Sequence, residues 1–282
     1  MSRLTTEDIH PIYSRMEETE QHFQTITNHS MAEAAALAAG WQNMEVKKTA
    51  AVIPVTSGLG VISGFSQTVG RILQYYGIPA FVTEKTDVEG FFEAYRKKAE
   101  IVFAADDNLF IAVSTETKAI AENGACTGAG FAQALHMAAG GKIRTILVLG
   151  AGPVGCGAVD FFLKEGYSVD WYDIDRKKIF LAGKTRERAR ILERPPVLKN
   201  YAGIFDATTA KDIVTQADVT EKTVIAAPGM PCGITREAGN IAAVIHNPLE
   251  LGVLTMYFDC LKKIEQEEEG FGRKENAGKV CA

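Results

Sequence analysis

The glycine-rich segment that begins at Gly150 constrains the fold of this chain more than any other feature. Apolar residues 146–149 precede it and predict a buried strand, and apolar residues at helical spacing follow it. Gly150, Gly152 and Gly155 lie at the spacing G-x-G-x-x-G. In that pattern the first glycine permits a tight turn, the second lets the backbone approach a pyrophosphate, and the third lets helix and sheet pack closely. Strand, glycines and helix in this order predict a dinucleotide-binding unit.

A second predicted strand, residues 167–172, ends at Asp173 and completes this unit. A carboxylate roughly 20 residues after the first glycine binds the ribose hydroxyls of the dinucleotide. It also repels a 2′-phosphate, which favours NAD over NADP, whereas the nearby Arg176 is compatible with NADP. We expect the dinucleotide to contact residues of the glycine loop and of the neighbouring strand ends: Gly150, Gly152, Pro153, Val154, Gly155, Asp173, Thr208, Pro228 and Gly229.

The composition argues against several other classes of function. A net charge of −5 argues against a nucleic-acid-binding surface, which needs a basic face. No apolar run approaches the roughly 20 residues that span a bilayer, and the first residues indicate a helix cap rather than a signal peptide. We therefore expect a cytoplasmic protein without membrane contact. The five cysteines and five histidines are scattered without metal-ligand spacing, so we expect no metal site.

Strands alternate with helices along the chain and predict an α/β protein. We expect a C-terminal Rossmann dinucleotide-binding domain and an N-terminal α/β domain, with a small parallel sheet behind a helical lead over residues 5–40. The expected strands cover residues 50–55, 80–82, 100–105, 146–149, 167–172, 202–207, 223–227 and 242–245. We expect four regions: a helical and α/β substrate domain at residues 1–127, a linker helix at 128–141, the NAD-binding domain at 142–264 and a flexible tail at 265–282.

Small and hydroxyl-bearing residues follow the first predicted strand of the N-terminal half. Ligands of parallel sheets bind at the carboxyl ends of the strands. Ser57 and Gly58 lie there, and the next predicted helix begins near Phe65 and Ser66. These residues are candidates for binding a substrate carboxylate. An ordinary strand-to-helix turn capped by serine or threonine explains the same residues.

Two adjacent carboxylates, Asp106 and Asp107, follow the third predicted strand. Neighbouring side chains of an extended chain point apart, so we do not expect a cooperating pair. We expect Asp106 to face the cleft between the domains, where it either anchors an ammonium group or accepts its proton. Asp107 is then expected to cap a following helix.

Cys232 and two histidines are further candidates. Cys232 lies in the loop that begins at Pro228, but the sequence suggests no histidine partner, so we interpret it as a packing residue. His246, after the last predicted strand, is either a proton relay near the nicotinamide or a structural residue. His136 lies on an apolar helix and is interpreted as structural.

Five short blocks of sequence, spread from the N-terminal half to the penultimate strand, are more specific than the glycine spacing. They are VIPVTSG at residues 52–58, GFS at 64–66, ADDN at 105–108, Asn123 with CTG at 126–128, and PGMPC at 228–232. In this order they closely resemble the PylD family of pyrrolysine-biosynthetic dehydrogenases, and the resemblance covers most of the chain.

This resemblance implies the last step of pyrrolysine synthesis. The family oxidises 3-methylornithyl-N6-lysine, a dipeptide-like small molecule, with NAD at the carbon that bears the terminal primary amine. It then releases ammonia and closes the pyrroline ring with loss of water. The site residues that follow are Asp106 as the catalytic residue, and Ser57, Gly58, Phe65, Ser66 and Asn123 as substrate-binding residues. We also expect a homodimer.

Two other functions fit parts of the sequence. A general NAD-dependent amino-acid or amine dehydrogenase has the same two-domain layout, but such enzymes generally carry lysines in the cleft rather than a carboxylate such as Asp106. A regulator that senses NAD or NADH is expected to carry a basic DNA-binding helix pair, which the acidic N-terminus does not offer.

Overall fold

The helical lead consists of three helices that pack against the body of the protein. The computed structural model describes residues 5–60 and 62–279, with side chains described up to residue 270. The three helices are α1 (Thr6–Ile9), α2 (Ile12–Thr27) and α3 (Met31–Ala39). Ser30 and Glu33 form a reciprocal capping box at the start of α3, and Gly40 ends it in the left-handed conformation. The helical lead predicted from the sequence is confirmed.

The first sheet has five strands in the order β2-β1-β3-β4-β5. Its elements are β1 (Ala50–Ile53), α4 (Phe65–Tyr75), β2 (Ala80–Val82), α5 (Asp87–Arg96), β3 (Ile101–Ala105), β4 (Phe110–Ser114) and β5 (Ile120–Glu122). The first three strands pair in parallel, as predicted, whereas β4 and β5 pair antiparallel. These two strands were not predicted from the sequence. A helix was expected after Asp107, but the chain there makes a tight turn into β4.

The second sheet has six parallel strands in the order β11-β10-β9-β6-β7-β8. Between the sheets runs α6 (Asn123–Ala139), and the remaining elements are β6 (Thr145–Leu149), α7 (Pro153–Lys164), β7 (Ser168–Tyr172), α8 (Arg176–Gly183), β8 (Arg190–Ile191), β9 (Gly203–Asp206), β10 (Val224–Ala226), α9 (Arg236–Gly239), β11 (Ala243–Ile245) and α10 (Glu250–Lys279). This is the doubly wound order of dinucleotide-binding sheets, with its switch point between β6 and β9. The predicted α/β class and Rossmann unit are confirmed.

Two helices differ from their predicted bounds. The linker helix expected at residues 128–141 begins earlier, at Asn123, because the Glu122 carboxylate accepts hydrogen bonds from the amides of Gly124 and Ala125 and caps it. The tail expected to be flexible from residue 265 continues α10 as helix to Lys279. Its Glu and Lys residues are good helix formers, and Glu267 accepts a hydrogen bond from the Lys118 amide. Residues 280–282 lie outside the described residues.

The largest apolar core is continuous between the two sheets. It includes buried side chains of the lead, of both sheets, and of α6, α7 and α10, among them Phe103, Phe131, Trp171 and Tyr257. The Tyr257 hydroxyl on α10 accepts from the amide of Lys48 and donates to its carbonyl, each at 2.9 Å. Across residues 5–60 and 62–279, no helix is long and apolar enough to cross a membrane.

Glycines allow α6 and α7 to approach with backbone against backbone. A Cβ at Gly128 of α6 would lie 2.2 Å from the carbonyl oxygen of Val154, and one at Gly157 of α7 would lie 2.6 Å from the carbonyl oxygen of Ala125. Both separations are shorter than real Cβ contacts. The contact therefore holds the N-terminal ends of the two helices side by side.

We expect Gly128→Ala to destabilise the protein. The added methyl group would collide with backbone of α7, and such overpacking costs about 1–3 kcal/mol. Gly239→Ala is the matched control, because its Cβ would meet nothing within 4 Å and alanine favours helix. The measurement is urea unfolding followed by circular dichroism. Equal unfolding midpoints for Gly128→Ala and the unmodified chain would show that the contact is looser than described.

Candidate functional site

A cavity of about 230 Å³ lies between the two sheets, at the carboxyl ends of their parallel strands. From the N-terminal half it is lined by Ile62, Phe65, Asp106, Asp107, Asn108, Leu109, Phe110, Glu122, Asn123, Thr127 and Phe131. From the C-terminal half it is lined by Gly152, Pro153, Val154, Lys178, Ala207, Thr208, Thr209, Pro228, Gly229, Met230, Pro248, Leu249 and Gly252. The cavity thus joins the predicted substrate side to the predicted cofactor side.

The glycine loop shapes the cofactor side of this cavity. Gly150 has a φ of +97°, and a Cβ at Gly155 would lie 2.1 Å from the Gly150 carbonyl oxygen. That oxygen also accepts a hydrogen bond of 2.8 Å from the Trp171 indole. At Gly152, by contrast, a Cβ would meet only the Nζ of Lys178, at 3.6 Å. The loop is therefore tightly packed at Gly155, whereas at Gly152 it leaves open space at the first turn of α7. This space suits the pyrophosphate of a dinucleotide.

Asp173 lies at the end of β7, beside this loop. Its Oδ2 accepts a 2.6 Å hydrogen bond from the Ala151 amide, and its Oδ1 accepts one of 2.7 Å from the Asp175 amide. Neither Asp173 nor the predicted residues Gly150 and Gly155 line the cavity itself. Arg176, the residue that made NADP compatible with the sequence, donates to the carbonyl of Glu193. The Asp173 carboxylate and the Lys178 ammonium group thus both lie beside the glycine loop at this strand end.

Asp106 occupies the turn between β3 and β4, exposed in the cavity. Its Oδ1 accepts hydrogen bonds of 2.8 Å from the amides of Asn108 and Leu109. These two bonds lower the pKa of the carboxyl and outweigh the opposing effect of desolvation. A carboxylate with a lowered pKa is a weak proton acceptor and a good ammonium anchor. Of the two roles considered for Asp106, the geometry favours anchoring.

The other predicted substrate residues divide into two groups. Phe65 and Asn123 line the cavity, where the Phe65 ring meets Phe110 edge-on at 5.3 Å and Asn123 Oδ1 accepts a 2.9 Å bond from Thr127. Ser57, Gly58 and Ser66 do not line it.

Ser57, Gly58 and Ser66 lie outside the cavity because the chain turns away from it after β1. Gly58 packs against Asp107, whose carboxylate accepts a 2.6 Å bond from the Leu59 amide, and both Ser57 and Gly58 are exposed. Ser66 is buried and lines a smaller neighbouring depression of about 50 Å³, which shares Asp106 with the main cavity. Asp107 therefore fixes a loop, where the sequence reading expected a helix cap.

Several residues that line the cavity were not predicted from the sequence. Glu122 could have been found as a cap before an apolar helical run. Lys178 could have been found one turn into the helix after Asp173. Leu249 and Gly252 carried no local signal, because only the return of α10 across both sheets brings them to the cavity.

Cys232 packs against the second apolar core cluster, as interpreted from the sequence, with a histidine nearby that the sequence did not suggest. Burial acts to raise the pKa of the Cys232 thiol, but His246 outweighs it and lowers this pKa, and the Nδ1 of His246 lies 2.6 Å from the carbonyl oxygen of Ala227. Neither residue lines the cavity. His136 has the structural role expected of it, with its Nδ1 2.8 Å from the Tyr167 hydroxyl. Over the part of the chain that is described, no three His, Cys, Asp or Glu side chains cluster as a metal site would require.

Residues 8–121 match a family model described as the pyrrolysine biosynthesis protein PylD, N-terminal domain. A pyrrolysine synthase of Methanosarcina acetivorans is 31% identical over 264 residues, which are 93% of this chain and 100% of that protein. A pyrrolysine synthase of Methanosarcina barkeri is 30% identical over 263 residues, which are 93% of this chain and 98% of that protein.

Solved structures show the same fold at low sequence identity. A quinate dehydrogenase from Corynebacterium glutamicum in complex with NAD has a TM-score of 0.53 at 11% identity, and covers 76% of this chain and 93% of its own. A bifunctional 5,10-methylenetetrahydrofolate dehydrogenase/cyclohydrolase from Thermoplasma acidophilum has a TM-score of 0.52 at 11% identity, and covers 90% and 98% respectively. At this identity the likeness concerns the fold alone.

Two buried aspartates of the second sheet lead to opposite expectations for stability. Asp206 is fully buried, its Oδ2 has no hydrogen-bond partner, and burial raises its pKa against the bonds from Thr208. Asp170 is paired with Arg190 and Tyr201, and the Arg190 bond lowers its pKa. A raised pKa means that the folded state loses stability as pH rises from the unfolded value, about 3.9, to the folded one. A lowered pKa means that the folded state gains stability as pH rises from the folded value to the unfolded one.

We therefore expect Asp206→Asn to gain stability relative to the unmodified chain as pH rises from 4 to 8, because it removes a buried charge. Asp170→Asn should lose stability above the unfolded pKa, and this loss should vanish as pH falls through the lowered folded pKa. Urea unfolding at a series of pH values measures both differences. Slopes of the same sign for the two variants would contradict these assignments.

Proposed function

Because the chain belongs to the pyrrolysine synthase (PylD) family, we propose that it is an NAD-dependent oxidoreductase that forms pyrrolysine from 3-methylornithyl-N6-lysine. The observation that carries this proposal is one cavity with two unlike sides. An exposed carboxylate, Asp106, faces it from the first sheet, and the first turn of α7 faces it from the second. The first suits an amine and the second a pyrophosphate.

The proposed reaction begins at the carbon that bears the terminal primary amine of the substrate. Bound NAD supplies the hydride acceptor for this carbon, which becomes an iminium group. Water adds to the iminium, ammonia leaves, and an aldehyde remains. The other amine attacks this aldehyde within the same molecule, and loss of water closes the pyrroline ring. A cavity closed by two sheets aligns the reacting carbon and limits access of water.

The C-terminal half is proposed to hold the cofactor. Gly152, Pro153 and Val154 offer the first turn of α7 to the pyrophosphate, and Asp173 accepts from the adenosine ribose hydroxyls. Gly150 and Gly155 shape the glycine loop itself and do not line the cavity. On the nicotinamide side, Thr208, Pro228 and Gly229 line the cavity, and a Cβ at Gly229 would lie 2.1 Å from the Thr208 carbonyl oxygen. Only glycine allows this close contact between the two loops.

The N-terminal half is proposed to hold the amine end of the substrate. Asp106, Asp107 and Glu122 bring three carboxyl groups to this side, while the lysine of the cavity lining, Lys178, belongs to α8 on the cofactor side. In this arrangement Asp106 anchors the terminal ammonium group, Phe65 packs against the alkyl chain and Asn123 binds a polar group near the reacting end. Ser57, Gly58 and Ser66 would act from the rim, through the loop that Asp107 fixes.

The charge distribution also bears on the alternatives. A general amino-acid dehydrogenase would share the cofactor side, but the acidic substrate side favours a substrate with more than one amine over a simple amino acid. A sensor without enzymatic activity would not need an ammonium anchor beside the dinucleotide.

The expected homodimer remains a prediction. The exposed apolar side chains of α5 at Val88, Phe91, Phe92 and Tyr95 recur at helical spacing and have the composition of an interface core.

We expect Asp106→Asn to lower kcat/KM for 3-methylornithyl-N6-lysine by about 10–100-fold, because a hydrogen bond to a charged group contributes about 1.5–3 kcal/mol. The assay follows NADH absorbance and the mass of the product. NAD affinity should stay unchanged, since the side-chain oxygen of the introduced asparagine would still accept from the amides of Asn108 and Leu109 and preserve the turn.

Asp107→Asn is the matched control for this experiment, because it removes the neighbouring charge and keeps an acceptor for the Leu59 amide. We expect a smaller loss. Equal kcat/KM for Asp106→Asn and the unmodified chain would exclude Asp106 as the anchor. NADH formation with free amino acids but not with the dipeptide-like substrate would favour the general dehydrogenase.

We expect Asp173→Asn to weaken NAD binding about tenfold and to narrow the preference for NAD over NADP. The substitution keeps the size of the side chain but removes the charge that repels a 2′-phosphate and accepts from the ribose. Arg176→Ala is the control and should leave both affinities unchanged, because its guanidinium binds the Glu193 carbonyl. Isothermal titration with NAD and with NADP measures both. Loss of NADP affinity in Arg176→Ala would show that this arginine reaches the ribose after all.

A further inference from the structure

The charges that line the cavity are unevenly divided between acid and base. Among the described lining residues, Asp106, Asp107 and Glu122 carry carboxyl groups, and Lys178 carries the positive charge. A dinucleotide brings a negatively charged pyrophosphate into this space, and carboxylates at short range repel it. Binding of the dinucleotide therefore needs a cation close to the pyrophosphate, and Lys178 is the lining residue that supplies one.

Two carboxylates hold the backbone at the start of α8, where Lys178 lies. The Oδ1 of Asp175 accepts hydrogen bonds from the amides of Lys177 and Lys178, at 3.0 and 3.1 Å, and thereby caps the helix. The Oδ1 of Asp173 accepts a bond of 2.7 Å from the amide of Asp175. The backbone of Lys178 is therefore tied to the end of β7, beside the glycine loop.

The ammonium group of Lys178 lies on the open side of the glycine loop. Its Nζ is 3.6 Å from the position that a Cβ at Gly152 would take, and 4.0 Å from the Oδ2 of Asp173. A separation of 4.0 Å is too long for a hydrogen bond, and this carboxylate oxygen already accepts from the Ala151 amide. The pairing with Asp173 therefore leaves the N–H donors of the ammonium group available to a ligand.

The two basic residues that precede Lys178 point elsewhere. Arg176 donates to the carbonyl of Glu193, and Lys177 is exposed to solvent. Neither of them lines the cavity. Of these three consecutive basic residues, Lys178 is the one placed to meet a ligand there.

The position of the ammonium group also distinguishes between two anionic groups of a dinucleotide. The pyrophosphate is expected at the first turn of α7, where Gly152 leaves the open space beside the Nζ of Lys178. The 2′-phosphate of NADP would lie instead at Asp173, whose carboxylate repels it. The geometry therefore favours the pyrophosphate as the partner of Lys178.

We propose that Lys178 binds the pyrophosphate of the dinucleotide and thereby sets the affinity for NAD, whereas Asp173 sets the preference for NAD over NADP. This inference rests on the proposed function, because it needs a dinucleotide in the cavity. The ammonium group donates to phosphate oxygens from the side opposite to the amides of α7, and such charge-assisted bonds are stronger than neutral ones. Cofactor affinity then depends on a residue outside the G-x-G-x-x-G pattern.

The first test is isothermal titration of the full-length protein with NAD and with ADP-ribose, which has the pyrophosphate but no nicotinamide. Lys178→Met keeps an unbranched side chain and removes the charge. We expect it to weaken the binding of both ligands by about 10–100-fold, because a hydrogen bond between charged groups is lost. Lys178→Arg should recover most of this loss, since a guanidinium group also binds phosphate.

Lys177→Met is the matched control, because it removes a neighbouring charge that does not line the cavity and leaves the amide bond to Asp175 in place. It should bind NAD as the unmodified chain does. Equal NAD affinities for Lys178→Met and the unmodified chain would overturn the proposal. A loss of affinity for NADP with no loss for NAD would assign Lys178 to the 2′-phosphate and overturn it as well.

The second test repeats the NAD titrations at rising ionic strength. Salt screens the attraction between the ammonium group and the pyrophosphate. The affinity of the unmodified chain should therefore fall more steeply with salt than that of Lys178→Met. The same salt dependence for both proteins would show that Lys178 does not act through its charge, against the proposal.

These titrations separate failure of the inference from failure of the proposed function. If the unmodified protein bound neither NAD nor ADP-ribose, the proposed function itself would be overturned. If it bound both, the comparison with Lys178→Met would decide on the lysine alone. At saturating NAD, the KM of Lys178→Met for 3-methylornithyl-N6-lysine should equal that of the unmodified chain. A raised KM with unchanged NAD affinity would place Lys178 at the substrate instead of the cofactor.

Discussion

The close backbone contact between α6 and α7 brings the two halves of the site together. Gly128 and Gly157 remove the side chains that would hold these helices apart, and Gly124 lies where a Cβ would be 2.5 Å from Pro153. The N-terminal ends of both helices therefore meet at the cavity, one capped by Glu122 and the other left open at Gly152. With a normal helix separation of about 8–10 Å set by larger side chains, the two sides of the cavity would lie further apart.

The helix α10 completes this arrangement by tying the C-terminal end of the chain to the first sheet. Tyr257 binds the backbone of Lys48 just before β1, and Lys263 donates to the Ile120 carbonyl of β5. On its other side, Thr255 packs against Gly130 of α6. Because one helix contacts both sheets through buried contacts, the cavity between them has a wall that neither sheet could supply alone.

Local signals predicted the Rossmann half well, because each of its steps is encoded within a few residues: an apolar strand, glycines, a helix and a carboxylate. Antiparallel strands β4 and β5 were missed, since a tight turn at Asp106 replaces the crossover helix that the parallel pattern suggested. The sequence placed Ser57 at a strand end but could not show that the chain then swings out of the cavity. The effect of His246 on the pKa of the Cys232 thiol depends on the adjacency of β10 and β11, which no local pattern encodes.

In the proposed function, the charges around the cavity determine where each of the two charged ligands binds. Carboxyl groups come from turns and caps of the first sheet, at Asp106 and Glu122, whereas the open helix end and Lys178 come from the second. A dinucleotide in the opposite orientation would place its phosphates among carboxylates, and like charges at short range are repelled most strongly where water is excluded. An amine at the second sheet would meet the positive end of α7 instead. The proposed orientation of both ligands thus follows from the helix N-terminus that the fold leaves open at Gly152 and the one that it caps with Glu122.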